Sequence, residues 1–259
     1  MNKITKYISL ACIFMALISC EKTRLDDNIQ WQYVNSSTDA SLKVINAYTS
    51  NVPAGAPGVG VTRFYVYQEK TKLNGNALTA PGSWPSTATY AAVKAGKANY
   101  FLLLDRRVGN DYGVYAKGDT AFKANLDLQP GKFYTAFLIG ASPTQEVIHV
   151  EDELIEPAVG KYRLRIANLV PDPARPIDVY SRREKRKIVT GLDYKKVGTF
   201  VELSIPLISD TLDVFDATSP AKPLYSATNF VPVSKRIYTF YAQGRRGFRT
   251  EALSSYTNR

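Results

Sequence analysis

The chain has 259 residues, 45% of them hydrophobic and 22% charged, which is enough to bury one large core or two small ones. Two cysteines and a single histidine leave little material for thiol, zinc or imidazole chemistry. The net charge of +10 is unevenly spread: residues 20–160 carry 13 Lys+Arg against 14 Asp+Glu, and residues 161–259 carry 18 against 9. The basic character therefore belongs to the second half, an asymmetry that already suggests two units.

The chain opens with Lys3 and Lys6, then a nearly continuous apolar run from Ile8 to Ile18. A membrane-spanning helix needs roughly 20 apolar residues, so this run reads instead as the core of a secretory signal. It ends in Leu17-Ile18-Ser19-Cys20, the pattern of a lipobox. The spacing predicts a signal peptide over 1–19, cleavage before Cys20, and a lipid anchor attached through the Cys20 sulfur. Several acyl chains on one residue hold a protein durably on a membrane, whereas a single chain is marginal. Cys12 leaves with the signal. Cys20 is then the only cysteine left, and disulfides, thiolate zinc sites and cysteine nucleophiles drop out. Glu21 to Asp27 is charged and unsuited to a core, so residues 20–39 read as a lipidated tether. These charges after the cysteine resemble the surface-export signals of Bacteroidota lipoproteins. The resemblance implies the outer membrane, on either its surface or its periplasmic face.

Beyond the tether the pattern is strand-like almost throughout. Apolar and polar residues alternate in Leu42–Ile45, Thr62–Tyr67, Leu164–Ala167 and Thr199–Leu203. Turn residues punctuate at short intervals, as in Asn74-Gly75-Asn76, Gly109-Asn110-Asp111 and Pro130-Gly131. The two halves also match each other. Leu42-Lys43-Val44-Ile45-Asn46 aligns with Leu164-Arg165-Ile166-Ala167-Asn168, and Phe64-Tyr65-Val66-Tyr67 with Ile177-Asp178-Val179-Tyr180. Tyr100–Asp105 corresponds to Thr211–Asp216, and Phe133–Phe137 to Ile237–Tyr241. The expectation is an all-β chain: two tandem immunoglobulin-like β-sandwich domains, over 40–156 and 160–259, each of seven or eight short strands. One continuous β-domain is the competing reading. The acidic stretch Glu151–Pro157 is the natural boundary.

Asn168-Leu169-Val170-Pro171-Asp172, Pro176-Ile177-Asp178-Val179-Tyr180 and the closing Tyr-Thr hairpin resemble the family called domain of unknown function 4397. The first copy departs from that pattern: Ala47-Tyr48-Thr49-Ser50 replaces the Ser-Pro-Asp stretch, and Tyr65 stands where Asp178 does. The resemblance implies β-sandwich domains of secreted or cell-surface bacterial proteins. It brings no catalytic residue and no ligand.

Residues with chemistry are sparse. A Ser-His-Asp triad would have to use His149. A strand over Val147–Glu153 puts His149, Glu151 and Glu153 on one face, a set that suits either a divalent cation or a polar edge strand. Asp105, Asp127, Asp213 and Asp216 are carboxylates of the kind glycosidases pair, but strand ends favour Asp as a turn residue. Gly55–Gly60 lacks the Lys-Ser/Thr of a phosphate loop and reads as surface. No catalytic set, cofactor or metal is expected.

Arg182, Arg183, Lys185, Arg186 and Lys187 form the densest charge cluster, at the expected tip of a hairpin, with Arg245, Arg246 and Arg249 as a second basic spot. Either these are solvated loops, or they contact an anionic lipid or acidic polysaccharide. Nucleic acid does not fit the compartment. Trp31, Trp84, Tyr90 and Tyr112 lie in or near loops of the first unit. Trp84, Tyr90 and Tyr112 read first as packing in a core or between domains, and second as candidates for stacking on a glycan. Asp119-Thr120-Ala121 and Asp210-Thr211-Leu212 resemble a short O-glycosylation motif. Together these features predict a non-enzymatic envelope lipoprotein that binds or scaffolds through its loops, with glycan or another envelope protein as partner. The alternatives are a glycan-binding accessory of polysaccharide uptake and a fimbrial subunit.

Overall fold

The computed structural model describes residues 35–49, 63–104, 120–141, 144–171, 174–245 and 249–259. Residues 35–259 form one compact unit, and no helix occurs among the described residues. The first half contributes β1 (Asp39–Asn46), β2 (Arg63–Gln68), β3 (Thr71–Lys72), β4 (Leu78–Thr79), β5 (Gly82–Trp84), β6 (Ala91–Lys94), β7 (Gly96–Leu104), β8 (Thr120–Leu128), β9 (Phe133–Ala141) and β10 (Thr144–Glu151). The second contributes β11 (Lys161–Asn168), β12 (Ile177–Ser181), β13 (Arg186–Leu192), β14 (Lys196–Val197), β15 (Val201–Ser204), β16 (Asp210–Asp216), β17 (Tyr225–Phe230), β18 (Ile237–Arg245) and β19 (Arg249–Thr257).

Each half is an immunoglobulin-like sandwich. In the first, β10-β9-β1 is extended by β5 and β6, which pair with different stretches of β1, and faces β3-β2-β7-β8 with β4 beside β2. In the second, β19-β18-β11 with β14 and β15 faces β13-β12-β16-β17. The repeat seen in the sequence is the repeat of the fold. β1 pairs in parallel with β9 through Leu42↔Tyr134, as β11 pairs with β18 through Leu164↔Tyr238.

Strand alternation builds the two cores. Leu42, Val44, Phe64, Leu102, Leu126 and Tyr134 fill the first; Leu164, Ile166, Val179, Leu212, Val214 and Phe240 fill the second. The opposite faces of the inner sheets are buried as well. Ile45, Ala47, Phe137 and Ile139 meet Ala167, Leu169 and Tyr241 in a third cluster that joins the sandwiches. The four sheets therefore stack face to face with three buried layers between them.

Direction along the stack follows from pairing. The starts of β1, β9, β11 and β18 lie at one end: each inner pair is parallel, and Arg163 near the start of β11 meets Glu153 beside the start of β9, while Lys195, beside the end of β11, meets Glu146 beside the end of β9. Residues 152–160 cross that end from β10 to β11. Ion pairs bind the halves at both ends: Arg163 to Glu153 where β11 begins, and Lys195 to Glu146 at the far end.

Candidate functional site

Cys20, Trp31, the Gly55–Gly60 loop, Asp105, Gly109–Asp111, Tyr112, Asp119 and Arg246 lie outside the described residues. The remaining candidates are placed by the fold, and they separate.

Between the inner sheets lies a buried polar network that alternation along single strands did not reveal. Lys43 is 0% exposed, Arg165 3% and Asp152 4%. Asp152 Oδ1 accepts a hydrogen bond from the Arg165 guanidinium, and Oδ2 accepts from Tyr90 OH and Thr135 Oγ1, each at 2.5 Å. Arg165 Nε donates to Thr239 Oγ1 at 3.0 Å, and Thr239 donates to Asn258 at 2.8 Å. Lys43 Nζ donates to the carbonyls of Pro85 and Thr87 at 3.0 and 2.8 Å, and lies 5.6 and 5.5 Å from the ring centroids of Tyr90 and Tyr256. Burial lowers the Lys43 pKa to about 8, with Asp152 opposing the shift. Lys43 and Arg165 are equivalent in the repeat, as are Thr135 and Thr239. One signal was therefore available: a cation at the same strand position in both copies.

Tyr90 belongs to this network. Its ring also packs edge-on against Phe133 at 5.2 Å. Trp84 is elsewhere, half-buried against the first core. It lines an open depression of about 450 Å³ with Asn76, Thr79, Ser83 and Ser86, and no ionisable side chain is among the described lining residues. Buried side chains hold its walls. Asn74 accepts from Val66 N–H and donates to the carbonyls of Phe64 and Asn76, and Asn46 donates to Leu78 O. Lys43 fixes the strap after Trp84 through Pro85 and Thr87. Gly82 is required: a Cβ there would stand 2.5 Å from Thr79 O. A second depression, of about 390 Å³, shares Gly82 and Ser83 and continues to Tyr241, Ser254 and Tyr256. In the repeat Ser83 corresponds to Val197, through Ile45↔Ser83 and Ala167↔Val197, so Gly198 stands where Trp84 does. The second sandwich closes the same edge with no side chain at that position, so the fold does not demand Trp84.

The basic cluster is a hairpin tip. Residues 182–185 turn between β12 and β13, with Arg186 and Lys187 opening β13. Three of the five cations face carboxylates: Arg182 grips Asp213 at 2.7 and 2.9 Å, Lys187 meets Asp178 at 2.5 Å, and Arg186 lies 3.8 Å from Glu184. The Arg182 hydrogen bond holds the Asp213 carboxyl below its ordinary range. Burial alone would raise Asp178, but Lys187 and the Gly191 N–H bring it down. Arg183 and Lys185 are exposed. Arg245 and Arg249 lie across the molecule, at the other end of the second sandwich, where β18 turns into β19.

His149 is exposed on β10, at the edge of its sheet. Glu151 pairs with Lys132 at 2.9 Å and Glu153 with Arg163 at 3.7 Å. Among the described residues no three His, Cys, Asp or Glu side chains stand together as metal ligands. Asp127 accepts from Gln129 and Asp216 caps the turn at Thr218. Asp210 is buried and bonded to Ser181 and Arg183 N–H, with Thr211 beside it half-buried; Thr120 is exposed at the start of β8.

No protein-family model and no curated protein matches the chain. Among solved structures it is similar to a family 26 carbohydrate-binding module of Eubacterium rectale Amy13K in complex with maltoheptaose, at 15% identity, 84% of this chain, 96% of that one and a TM-score of 0.23. A proposed cell adhesion protein from Bacteroides uniformis matches at 9% identity over 85% of this chain and 99% of that one, TM-score 0.21. A proposed adhesin from Bacteroides ovatus matches at 9% identity over 85% and 94%, TM-score 0.21. At TM-scores near 0.2 the likeness decides nothing about ligand or partner.

Proposed function

We propose that the chain is a non-enzymatic lipoprotein of the bacterial cell envelope, related to domain of unknown function 4397, held by lipid on Cys20 and acting by binding or scaffolding. The observation that carries this reading is the apolar run ending in Leu17-Ile18-Ser19-Cys20. It is supported by the carboxylates described above, which are spent on turns and ion pairs. Cells fed an alkyne-bearing fatty acid should label the wild-type protein and leave it in the membrane fraction. A Cys20→Ala variant should lose both label and membrane retention; a variant that keeps its label overturns the reading.

A second reading is favoured by one feature, the depression beside Trp84. An indole wall, hydroxyl and amide side chains and no charge suit an uncharged sugar better than an anion. Buried Lys43, Asn46 and Asn74 preorganise the site, which lowers the ordering cost of binding. Affinity electrophoresis through neutral polysaccharides should retard the wild type. Trp84→Ala should lose up to about tenfold in affinity, the ~1.4 kcal/mol at the upper end for a lost stacking contact. Absence of retardation on every neutral glycan sinks this reading and leaves the anchor untouched.

A further inference from the structure

The topology gathers four unrelated features at one end of the stack, the end where β1, β9, β11 and β18 begin. The first is the entry of the chain: Asn35 follows the tether from Cys20 and precedes β1. The second is a set of exposed apolar loops. Between β15 and β16, Leu207 is 90% exposed and Ile208 83%; between β17 and β18, Val231 is 63% exposed and Val233 56%. Val159, before β11, adds to them. The third is the basic hairpin. β12 runs antiparallel to β16, with Ser181↔Leu212, so the 182–185 turn falls beside the start of β16. The fourth is Arg236, exposed between Val233 and β18.

These loops are tied to one another. Gly160 N–H donates to Ser234 Oγ, Ile205 N–H to Gly160 O, and Arg182 N–H to Thr211 O. Apolar tips of this size on a soluble protein mark a place that something covers. Bulky aliphatic side chains beside Arg183, Lys185 and Arg236 match the boundary between acyl chains and anionic headgroups. At the opposite end of the second sandwich, where Arg245 and Arg249 lie, the turn after β16 carries the polar Thr218, Ser219 and Lys222, and Leu224 beside it is 38% exposed, far less than Leu207 and Ile208.

We propose that this end rests on the lipid surface that holds Cys20, with the Leu207–Ile208 and Val231–Val233 loops in the headgroup boundary. Arg183, Lys185 and Arg236 then lie over anionic headgroups. The chain between Cys20 and Asn35 reaches at most roughly 50 Å when extended, so the anchor keeps the end close to the bilayer. The far end, with β5 and the Trp84 depression nearer to it, then faces away from the membrane. This inference rests on the lipid anchor proposed above, and it adds an orientation and a second, protein-borne contact.

The test uses the full-length lipidated protein in vesicles of phosphatidylethanolamine and phosphatidylglycerol. Cysteines introduced as Ile208→Cys or Ser219→Cys are labelled with an environment-sensitive fluorophore. The probe at 208 should shift to the blue and be quenched severalfold more by nitroxide lipids than the probe at 219. Replacing Arg183 and Lys185 by Glu should weaken that quenching, with the thermal melt unchanged. Equal, water-like emission from both probes overturns the proposal, and so does stronger quenching at 219. Intact mass separates the two failures. A chain without lipid on Cys20 removes the anchor reading and this inference with it, whereas a lipidated chain with both probes in water removes this inference alone.

Discussion

Lys43 sits on a strand position that period-two alternation assigns to the outside. In the folded chain that outside is the second sandwich. The ammonium is held by two carbonyls and two aromatic rings, and burial brings its pKa to about 8. The unfolded lysine titrates near 10.5, so between these values the unfolded chain binds a proton that the folded chain has released. Stability from this group therefore rises as pH is raised from about 8. Burial also keeps Tyr90 and Tyr256 neutral past their ordinary value of 10, which opposes the rise above that pH. Thermal melts should show a gain of about 1–3 kcal/mol between pH 8 and 10. Lys43→Met should flatten it; an unchanged rise in that variant assigns the effect elsewhere. Lys72 and Lys187 show the same logic across the repeat. They occupy equivalent hairpin positions, but Lys187 meets the Asp178 carboxylate while Lys72 lies 3.6 Å from the Tyr65 ring centroid. Tyr65, standing where the second copy has Asp178, thus keeps a partner for the cation.

At the scale of elements, the inner sheets behave as one joint. Asp152 leaves β10, turns inward and neutralises Arg165 of the other half. Removing one partner of a buried ion pair leaves the other charge uncompensated, at a cost of about 3–5 kcal/mol. Asp152→Asn should lower stability by that order. It should also split a single calorimetric transition into two, one per sandwich; a variant that melts like the wild type shows that the apolar cluster alone joins the halves. Strands and repeat were legible because alternation is written into each strand and the copies repeat it. Asp152 was legible only as part of an acidic boundary, since nothing in Glu151–Pro157 says which carboxylate turns inward. Tyr90 and Trp84 looked alike as loop aromatics, yet one is a hydrogen-bond donor to Asp152 and the other a wall of an open depression.

At the scale of the molecule, the parallel pairings β1–β9 and β11–β18, with ion pairs joining start to start and end to end, set both sandwiches in the same direction. That common direction places the basic hairpin, the apolar tips and the chain entry at one end. Strand pattern, the two copies, the hairpin at 182–187 and the scarcity of thiol and imidazole groups could all be read before the chain was folded. The strands and the hairpin are carried by neighbours a few residues apart, and the repeat and the composition are read by comparing or counting such stretches. It took the packed chain to show that Lys43, Arg165 and Asp152 are buried together, that Trp84 borders a depression, and that Leu207 shares an end with Arg183. Burial depends on what packs against a face, and here that face is covered by the other sandwich, which no local pattern names.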